Sequence, residues 1–383
     1  MAGCKPSEQY LNKLRDRYRK ARKKQRGRIL DEFVATTGYH RKHAIALLRG
    51  KRRHRDPRIP LRHPRRRTYT DEDKRAVLWL AELFDQIGSK RLRVAMDVEL
   101  THLRRQRHLK VSGPSYLRLR EISASTMDRL RRSERRPAGH RRGGTKPGSL
   151  LKSQIRIRTF ADWDDKRPGF EEIDLVQHDG GISRGSFACT LDVTDVCLGW
   201  TEMRAVRNKA QKHVFAALEL IRRRLPFPLL GLDSDNGSEF INDELIRYCD
   251  QEHITFTRSR QGRKNDNAYV EQKNWTIIRR LVGDARYDTQ RQVDQLNTLY
   301  ATYRLYVNHF LPVTKLVRKV REGSKTKKIY DAPKTPYQRV LDSDQVGSAD
   351  KRRLRATHTN LDLVELKHEI DRQSDALVPT MPW

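Results

Sequence analysis

The stretch RRPAGHRRGGTKPGSL, residues 135–150, divides the chain into two parts that cannot share one kind of structure. Gly and Pro at this density interrupt helix and strand alike, so the stretch is a linker. Before it, apolar residues recur at helical spacing. Beyond residue 170 they alternate or run in short blocks, as strands do. Charge changes at the same place. Residues 1–150 hold 42 Lys and Arg against 15 Asp and Glu, a net +27, whereas the other 233 residues hold 39 against 33, a net +6. A chain of 383 residues exceeds what one core usually holds, so a multidomain protein is expected, all-α at its N-terminus and α/β beyond.

Charge gathered on one part of a chain is the electrostatic footprint of nucleic-acid binding. No run approaches the roughly 18 apolar residues of a membrane span, and the first residues, MAGCKPSEQYLNKLRDRYRK, lack the apolar stretch of a signal peptide. A cytoplasmic protein, nucleoid-associated when bound to DNA and without a membrane partner, is therefore expected. Four cysteines stand without any CxxC pair, which argues against a disulfide scaffold and a zinc finger.

Residues 7–26 read as a charged helix. In RGRILDEFVATTGYHRKHAIALLRG, Ile29/Phe33 and Leu30/Val34 form i,i+4 apolar pairs, Gly38 interrupts, and Ala44, Ile45, Leu47 and Leu48 resume the stripe. Two short amphipathic helices joined by a Gly-containing turn fit a helix-turn-helix over 1–50, with a plain helical hairpin as the alternative. In a helix-turn-helix the start of the second helix meets base edges, which assigns Tyr39, His40, Arg41, Lys42 and His43 to DNA. Residues 51–69 contain Pro57, Pro60 and Pro64 and form a basic arm, either tracking phosphates through Arg65, Arg66 and Arg67 or simply solvated. A second helical DNA-binding module spans 70–134: Thr70 with Asp73 signals an N-cap, Gly88 breaks the helix, and Ser123 caps a short helix over 122–132 with Arg129, Arg131 and Arg132 outward.

After a linker at 135–160, the segments FEEIDLVQH, FACTLDVTD and CLGWTEMRAV read as a three-stranded meander. KAQKHVFAALELIRRRL is an amphipathic helix, PLLGLDSD a buried strand, GSEFINDELIRYCDQE a helix, ITFTRS a strand, and NDNAYVEQKNWTIIRRLVGD (265–284) a third helix. This order describes a mixed five-stranded sheet with flanking helices over 161–312.

Three acids fall at matched places. Asp174 interrupts the apolar alternation of the first strand, which is costly for an unpaired carboxylate. Asp235 follows the fourth strand, and Glu271 lies in the first turns of the third helix. The first and fourth strands are expected as neighbours, which would bring Asp174 and Asp235 together with the helix delivering Glu271. Crowded carboxylates repel, and hard divalent cations remove the penalty. Two such ions about 3.5–4 Å apart suit an in-line displacement at phosphorus. Alone, the DNG at 235–237 reads more simply as a turn.

IDLVQHDGG, LDSDNGSEF and RKNDNAYVEQKNW, within residues 160–315, resemble the retroviral-integrase-like DDE transposases of bacterial insertion sequences. Asp235 stands where that family's second acid precedes Asn, Glu271 follows an Asn–Ala helix start, and 35 residues intervene between them, as the family's signature requires. Asp174 matches the first acid. The resemblance implies an RNase H-like fold, two Mg²⁺ or Mn²⁺ ions held by Asp174, Asp235 and Glu271, and 3′-end cleavage followed by strand transfer. Terminal repeats, target DNA and further copies of the chain become the expected partners. Asn236 and Asn267 are expected beside the substrate, Arg263, Lys264 and Lys273 along its backbone, and Trp275 in the core. Asp179, Asp192, Asp233 and Glu239 are not expected as ligands, Asp192 standing either behind them or at the sheet edge, and His178 is assigned a structural or substrate-adjacent place. No His/Cys cluster precedes the catalytic region, unlike retroviral integrases. The rivals are a transposase-derived DNA-binding regulator and a structure-selective nuclease. Residues 313–383 form a basic C-terminal region, expected as a small β unit binding DNA followed by a helical tail at 350–375.

Overall fold

A computed structural model of the chain describes residues 6–50, 68–132, 156–157, 166–234, 240, 243–258, 273–322 and 325–380. The chain divides into two compact units, residues 1–68 and 69–383. No helix among the described residues is long and apolar enough to cross a membrane.

The first unit consists of α1 (Glu8–Lys20), α2 (Lys23–Thr37) and α3 (Arg41–Leu48). The expected helix over 7–26 breaks at Ala21, whose backbone is extended. Arg26 secures the break by donating to the carbonyls of Tyr18 and Arg19, groups that a helix end leaves without partners. Gly38 ends α2 at φ +67°, a left-handed cap, and its amide donates to Val34 O. Leu14, Tyr18, Ile29, Leu30, Phe33, Ala44 and Leu48 form the core of this unit.

The second unit opens with α4 (Asp71–Leu83), α5 (Ser89–Arg105), α6 (Gly113–Glu121) and α7 (Ala124–Arg131). Thr70 and Asp73 form the full capping box, and Ser123 caps α7, as the sequence suggests. Asp73 is fully buried and receives Ser115 Oγ at 2.5 Å and Arg118 Nε at 2.7 Å. Arg131 departs from expectation. It is buried, donating to Ile87 O at 2.9 Å and Gln86 Oε1 at 3.0 Å. The turn between α4 and α5 leaves acceptors that this long cation from α7 satisfies.

The sheet contains β1 (Arg156–Ile157), β2 (Phe170–Gln177), β3 (Cys189–Asp195), β4 (Thr201–Val206), β5 (Gly231–Ser234) and β6 (Thr255–Arg258), in the order β1-β6-β5-β2-β3-β4. The five expected strands are present, with the two-residue β1 added at one edge. β2, β3 and β4 make the antiparallel meander, while β5 runs parallel to β2 and β6. Gly169 sets the start of the β2–β5 pairing. Its carbonyl accepts from Leu230 and Gly231, its φ is +103°, and a Cβ there would lie 2.2 Å from Pro228 O.

The two faces of the sheet differ. Ile173, Leu175, Leu191 and Val193 pack beneath α8 (Gln211–Arg222) and α9 (Asp243–Gln251) in one apolar cluster. The alternate residues, Glu172 and Asp174 on β2 and Thr190, Asp192 and Thr194 on β3, form a polar face. Over that face lie α10, a π-helical segment Asn274–Arg279 continuing into Arg280–Val282, and the long α11 (Gln290–His309). α11 grips β4 through Asn297 on the backbone of Ala205 and Asn308 on that of Thr201. Beyond it come β7 (Leu316–Glu322) and β8 (Lys325–Tyr330), then α12 (Pro336–Asp342), α13 (Ser348–Thr359) and α14 (Leu363–Asp375), the last two covering the expected tail.

Helices α4 to α7 do not bury their apolar stripes on one another alone. Leu80, Phe84, Leu92 and Met96 belong to one cluster with Leu299, Tyr303 and Tyr306 of α11 and Ile370 of α14. Tyr306 Oη donates to Leu83 O at 2.7 Å, and Tyr303 Oη to Asp85 Oδ2 at 3.1 Å. The stretch expected as a second module therefore lies inside the compact unit that holds the sheet.

Candidate active site

The parallel register of β2 and β5 ends with Ile173 opposite Ser234, the residues immediately before Asp174 and Asp235. Asp235 and Glu271 lie outside the described residues, as do Asn236, Arg263, Lys264 and Asn267. Asp174 is half-buried. Its Oδ1 accepts from the amide of Leu175 at 2.7 Å, and its Oδ2 accepts from Asn274 Nδ2 at 2.5 Å. Asn274 stands three residues after Glu271 in the sequence.

Directly across the antiparallel pairing from Asp174 is Asp192. Register partners in such a pair share a face, with Cβ atoms about 4.5–5.5 Å apart. Asp192 is fully buried, receives Thr194 Oγ1 on Oδ1 at 3.2 Å, and its Oδ2 has no hydrogen-bond partner among the described residues. Burial pushes its carboxyl up to about 8, with the Asp174 charge adding to the rise and Lys273 opposing it. The sequence reading sets Asp192 behind the ligands or at the sheet edge, and the structure places it across from Asp174 in the interior of the sheet. The available signal is an acid at an inward position, which burial penalises unless a partner offsets the cost.

Lys273, expected along a DNA backbone, is turned inward. Its ammonium donates to Gly199 O at 3.3 Å and experiences the field of Asp192, while desolvation pulls its pKa down to about 8. Trp275, expected in the core, is 41% exposed.

The π-helical segment explains how α10 meets β2 twice. Asn274 reaches Asp174, and Arg279, five residues on, donates to Gln177 O at 2.6 Å. In an α-helix residues five apart diverge by about 140°. The wider i→i+5 turn of a π-helix brings them closer to one face. Both ends of the segment can therefore hold the same strand.

A neutral histidine chain and two further acids lie near this site. His178 bonds Thr190 Oγ1 at 2.7 Å, which bonds Tyr300 Oη at 2.8 Å, and burial drives the imidazole down to about 3, leaving it neutral. Asp233 receives Thr257 Oγ1 at 2.5 Å from β6, and Asp179 turns the chain by accepting the Gly181 amide. Among the described residues no group of three or more His, Cys, Asp or Glu is arranged to hold a metal ion.

In the first unit, Lys42 and His43 are exposed, and Tyr39 packs edge-on against Phe33 and His43. His40 caps α3 by accepting the Lys42 amide, and Arg41 pairs with Asp31 across the turn. Arg129 is exposed and donates to Thr126 Oγ1 at 2.9 Å, while Arg65, Arg66 and Arg67 lie outside the described residues.

No protein-family model matches the chain. Two solved structures resemble it at low overall score. The catalytic core domain of HTLV-2 integrase in complex with magnesium is 16% identical, covering 39% of this chain and 93% of that one, with a TM-score of 0.30. The catalytic core of BIV integrase is also 16% identical, covering 46% and 95%, with a TM-score of 0.30. The transposase for insertion sequence element IS904 of Lactococcus lactis subsp. lactis is 26% identical over 114 residues, 28% of this chain and 44% of that protein. An uncharacterized protein, y4rM of Sinorhizobium fredii, is 42% identical over 327 residues, spanning 85% of this chain and 92% of the other. Identity of that extent, running through both compact units, makes the chain a member of the y4rM family.

Proposed function

We propose that the chain is a DNA transposase of the DDE type, a polynucleotidyl transferase that cuts at the ends of its element and joins the freed 3′-hydroxyl to target DNA. The observation that carries this is the junction of β2, β5 and α10. The β2–β5 register, continued by one residue, would set Asp235 beside Asp174, and Asn274 ties Asp174 to the helix that follows Glu271. Likeness to the IS904 transposase supports the same assignment.

The donor set suits a hard cation. Asp174 offers carboxylate oxygens, and near it Asp192 Oδ2 and Asn274 Oδ1 are buried oxygens without hydrogen-bond partners among the described residues. Asp174, Asp235 and Glu271 would hold Mg²⁺ or Mn²⁺. Two such ions, when bound, supply an activated oxygen nucleophile and a stabilised leaving oxygen. The chain's own part is to fix geometry. Asn274 holds the Asp174 carboxylate, the Lys273–Gly199 and Arg279–Gln177 bonds fix α10 against β2 and the β3–β4 turn, and His178 ties β3 to α11 through Thr190 and Tyr300. Base reading falls to the first unit, with Arg41, Lys42 and His43 at the start of α3, and the acting species is an oligomer on duplex DNA in the cytoplasm.

Incubation of the full-length protein with element-end DNA and Mg²⁺, followed by sequencing of joined products, tests the assignment. Asp174→Asn, Asp235→Asn and Glu271→Gln should each abolish cleavage and joining while end binding persists. Cleavage without any joined product would make the protein a nuclease, and end binding with neither would make it a regulator. Mg²⁺ should also raise the melting temperature of the wild type by preferential binding to the folded state, less so in Asp174→Asn.

A further inference from the structure

We infer that the loop after β2, residues 180–186, holds one backbone phosphate of the DNA about five nucleotides from the reacting one, and that Arg286 is the residue positioning this loop. The inference rests on the proposal that Asp174 marks the cutting site, and adds a contact to it.

Five of the seven residues in the loop GGISRGS are Gly or Ser, so the chain alone gives it little reason to keep one shape. Arg286 supplies the shape. Its Nη1 donates to Asp179 O at 3.2 Å and Ile182 O at 2.7 Å, and its Nη2 to Arg184 O at 3.1 Å and Ser186 O at 3.2 Å. Only 12% of this side chain is exposed. Its Nε is anchored on Asp288 Oδ2 at 3.0 Å, and its guanidinium lies over the Phe187 ring. Gly180, at φ +63°, admits the close approach, since a Cβ there would lie 2.8 Å from Arg286 Cβ. The C-terminal residues brace the clamp. The Thr380 amide donates to Arg286 O at 2.8 Å, and Thr380 Oγ1 to Asp288 Oδ1 at 2.7 Å. A planar fork of five donors can serve four carbonyls, which the compact ammonium of a lysine cannot.

The inward carbonyls decide what the loop shows to solvent. A trans peptide sets each N–H opposite the carbonyl before it. With the carbonyls of Asp179, Ile182 and Arg184 turned to the guanidinium, the amides of Gly180, Ser183 and Gly185 face away from it. All three residues are exposed, and these amides donate to no group among the described residues. The side chains of Ser183 and Arg184 are exposed beside them, and residues 180–186 contain no acid. The outer surface therefore offers donors and a cation, with four acceptors withdrawn, and that set selects an anion. Arg, Ser and backbone amides are the groups that meet DNA phosphates.

Placement names the phosphate. Asp179 follows Asp174 by five residues along β2 and its extension, about 16 Å at the rise of a strand. A DNA strand advances about 3.4 Å per nucleotide along its axis, so about five nucleotides separate the two points. Arg286 lies four residues beyond the end of α10, the helix that follows Glu271. Loop and clamp thus hang from the elements proposed to carry the acids.

The test uses the full chain and element-end duplexes in which one phosphate at a time is replaced by an uncharged methylphosphonate, with affinity read by fluorescence anisotropy. In the wild type, neutralising a phosphate about four to six nucleotides from the cut should weaken binding about tenfold. Ser183→Ala/Arg184→Ala should bind the unmodified duplex about tenfold more weakly and lose the response at that position alone. Both side chains are exposed, so the melting temperature should hold and serves as the folding control. Arg286→Lys, which alters nothing on the outer surface, should lose the same response, whereas Arg184→Lys should keep it. A double variant that still responds there, or a wild type with no responsive position in that range, overturns the inference and leaves the transposase proposal standing. A wild-type pattern in Arg286→Lys overturns the positioning role. A wild type that binds no duplex overturns both inference and proposal.

Discussion

Residues 6–50 and 68–132 are both helical, basic and well capped, yet the two regions are built on opposite plans. The first closes on itself, with seven buried side chains, from Leu14 to Leu48, forming a private core. The second turns its apolar stripes toward others, since Leu80, Phe84, Leu92 and Met96 pack with α11 and α14. Charge divides the same way. Residues 1–68 hold 23 Lys and Arg against 5 Asp and Glu, a net +18, whereas 69–132 hold 14 against 9, a net +5. Amphipathic periodicity says that a helix has an inner face, but not whose core that face enters. Independence and a concentrated charge go with the region proposed to read DNA, and shared packing with the one that braces the catalytic sheet.

Cutting the chain at two places gives the largest test of that contrast. A fragment 69–383 should be soluble and melt as the corresponding part of the whole protein does. A fragment 151–383 should aggregate, because Tyr303, Tyr306 and Ile370 lose the helices that cover them. Solubility and calorimetry of the two fragments decide, and a well-folded 151–383 would break the comparison. Next in size is Phe33→Ala, which should cost about 3–5 kcal/mol, as much as a core this small supplies. Calorimetry should then show the first unit already unfolded and the second melting unchanged. A shift in both transitions would show the units to be coupled.

A third test sits in the second region. Glu99 of α5 is buried, and desolvation raises its carboxyl to about 7, with Asp362 adding to the rise. Its folded pKa lies above the ordinary value of 4.5, so the folded state holds the proton more tightly. The stability tied to this group is present below about pH 4.5 and is lost as pH climbs through 7. With one unit worth 1.36 kcal/mol, the loss approaches about 3 kcal/mol. Glu99→Gln should therefore raise the melting temperature at pH 8 and change it little at pH 4.5. Equal effects at both pH values would place the carboxyl in water. The smallest effect is Arg41→Ala, which should relax sequence preference by about 1–3 kcal/mol if Arg41 reaches a base, with almost no change in stability because its pair with Asp31 is exposed. Unaltered preference would move base reading away from α3.

Local signals and the order of the strands are legible in the sequence, whereas the burial of single side chains is not. Thr70 with Asp73, Ser123 and Gly38 act where chain chemistry puts them, since caps and left-handed turns depend on neighbours within a few residues. The pairing of β2 with β5 follows from the order of alternating runs. Arg131 and Trp275 go the other way, the cation inward and the indole outward, because burial is decided by elements far off in sequence. Asp192 is named in the sequence only as a residue behind the ligands or at the sheet edge, for the same reason. Its importance comes from the register that sets it across from Asp174, and no property of strand β3 read alone reveals that register.

The π-helical turn at Asn274–Arg279 has a consequence for how tolerant this helix can be to change in length. Such a turn is an α-helix carrying one residue too many, held open by its grip at both ends. Deleting a single residue there would let the segment relax to ordinary helical pitch, and the tighter turn would absorb the loss. The two ends of the segment, then four residues apart, would lie about 40° from one another on an α-helix and still face one strand. The same deletion in the regular turns on either side would instead swing the side chains upstream by about 100°. The extra residue thus acts as slack, and α10 is forgiving of a shortening at this one place and nowhere else along its length.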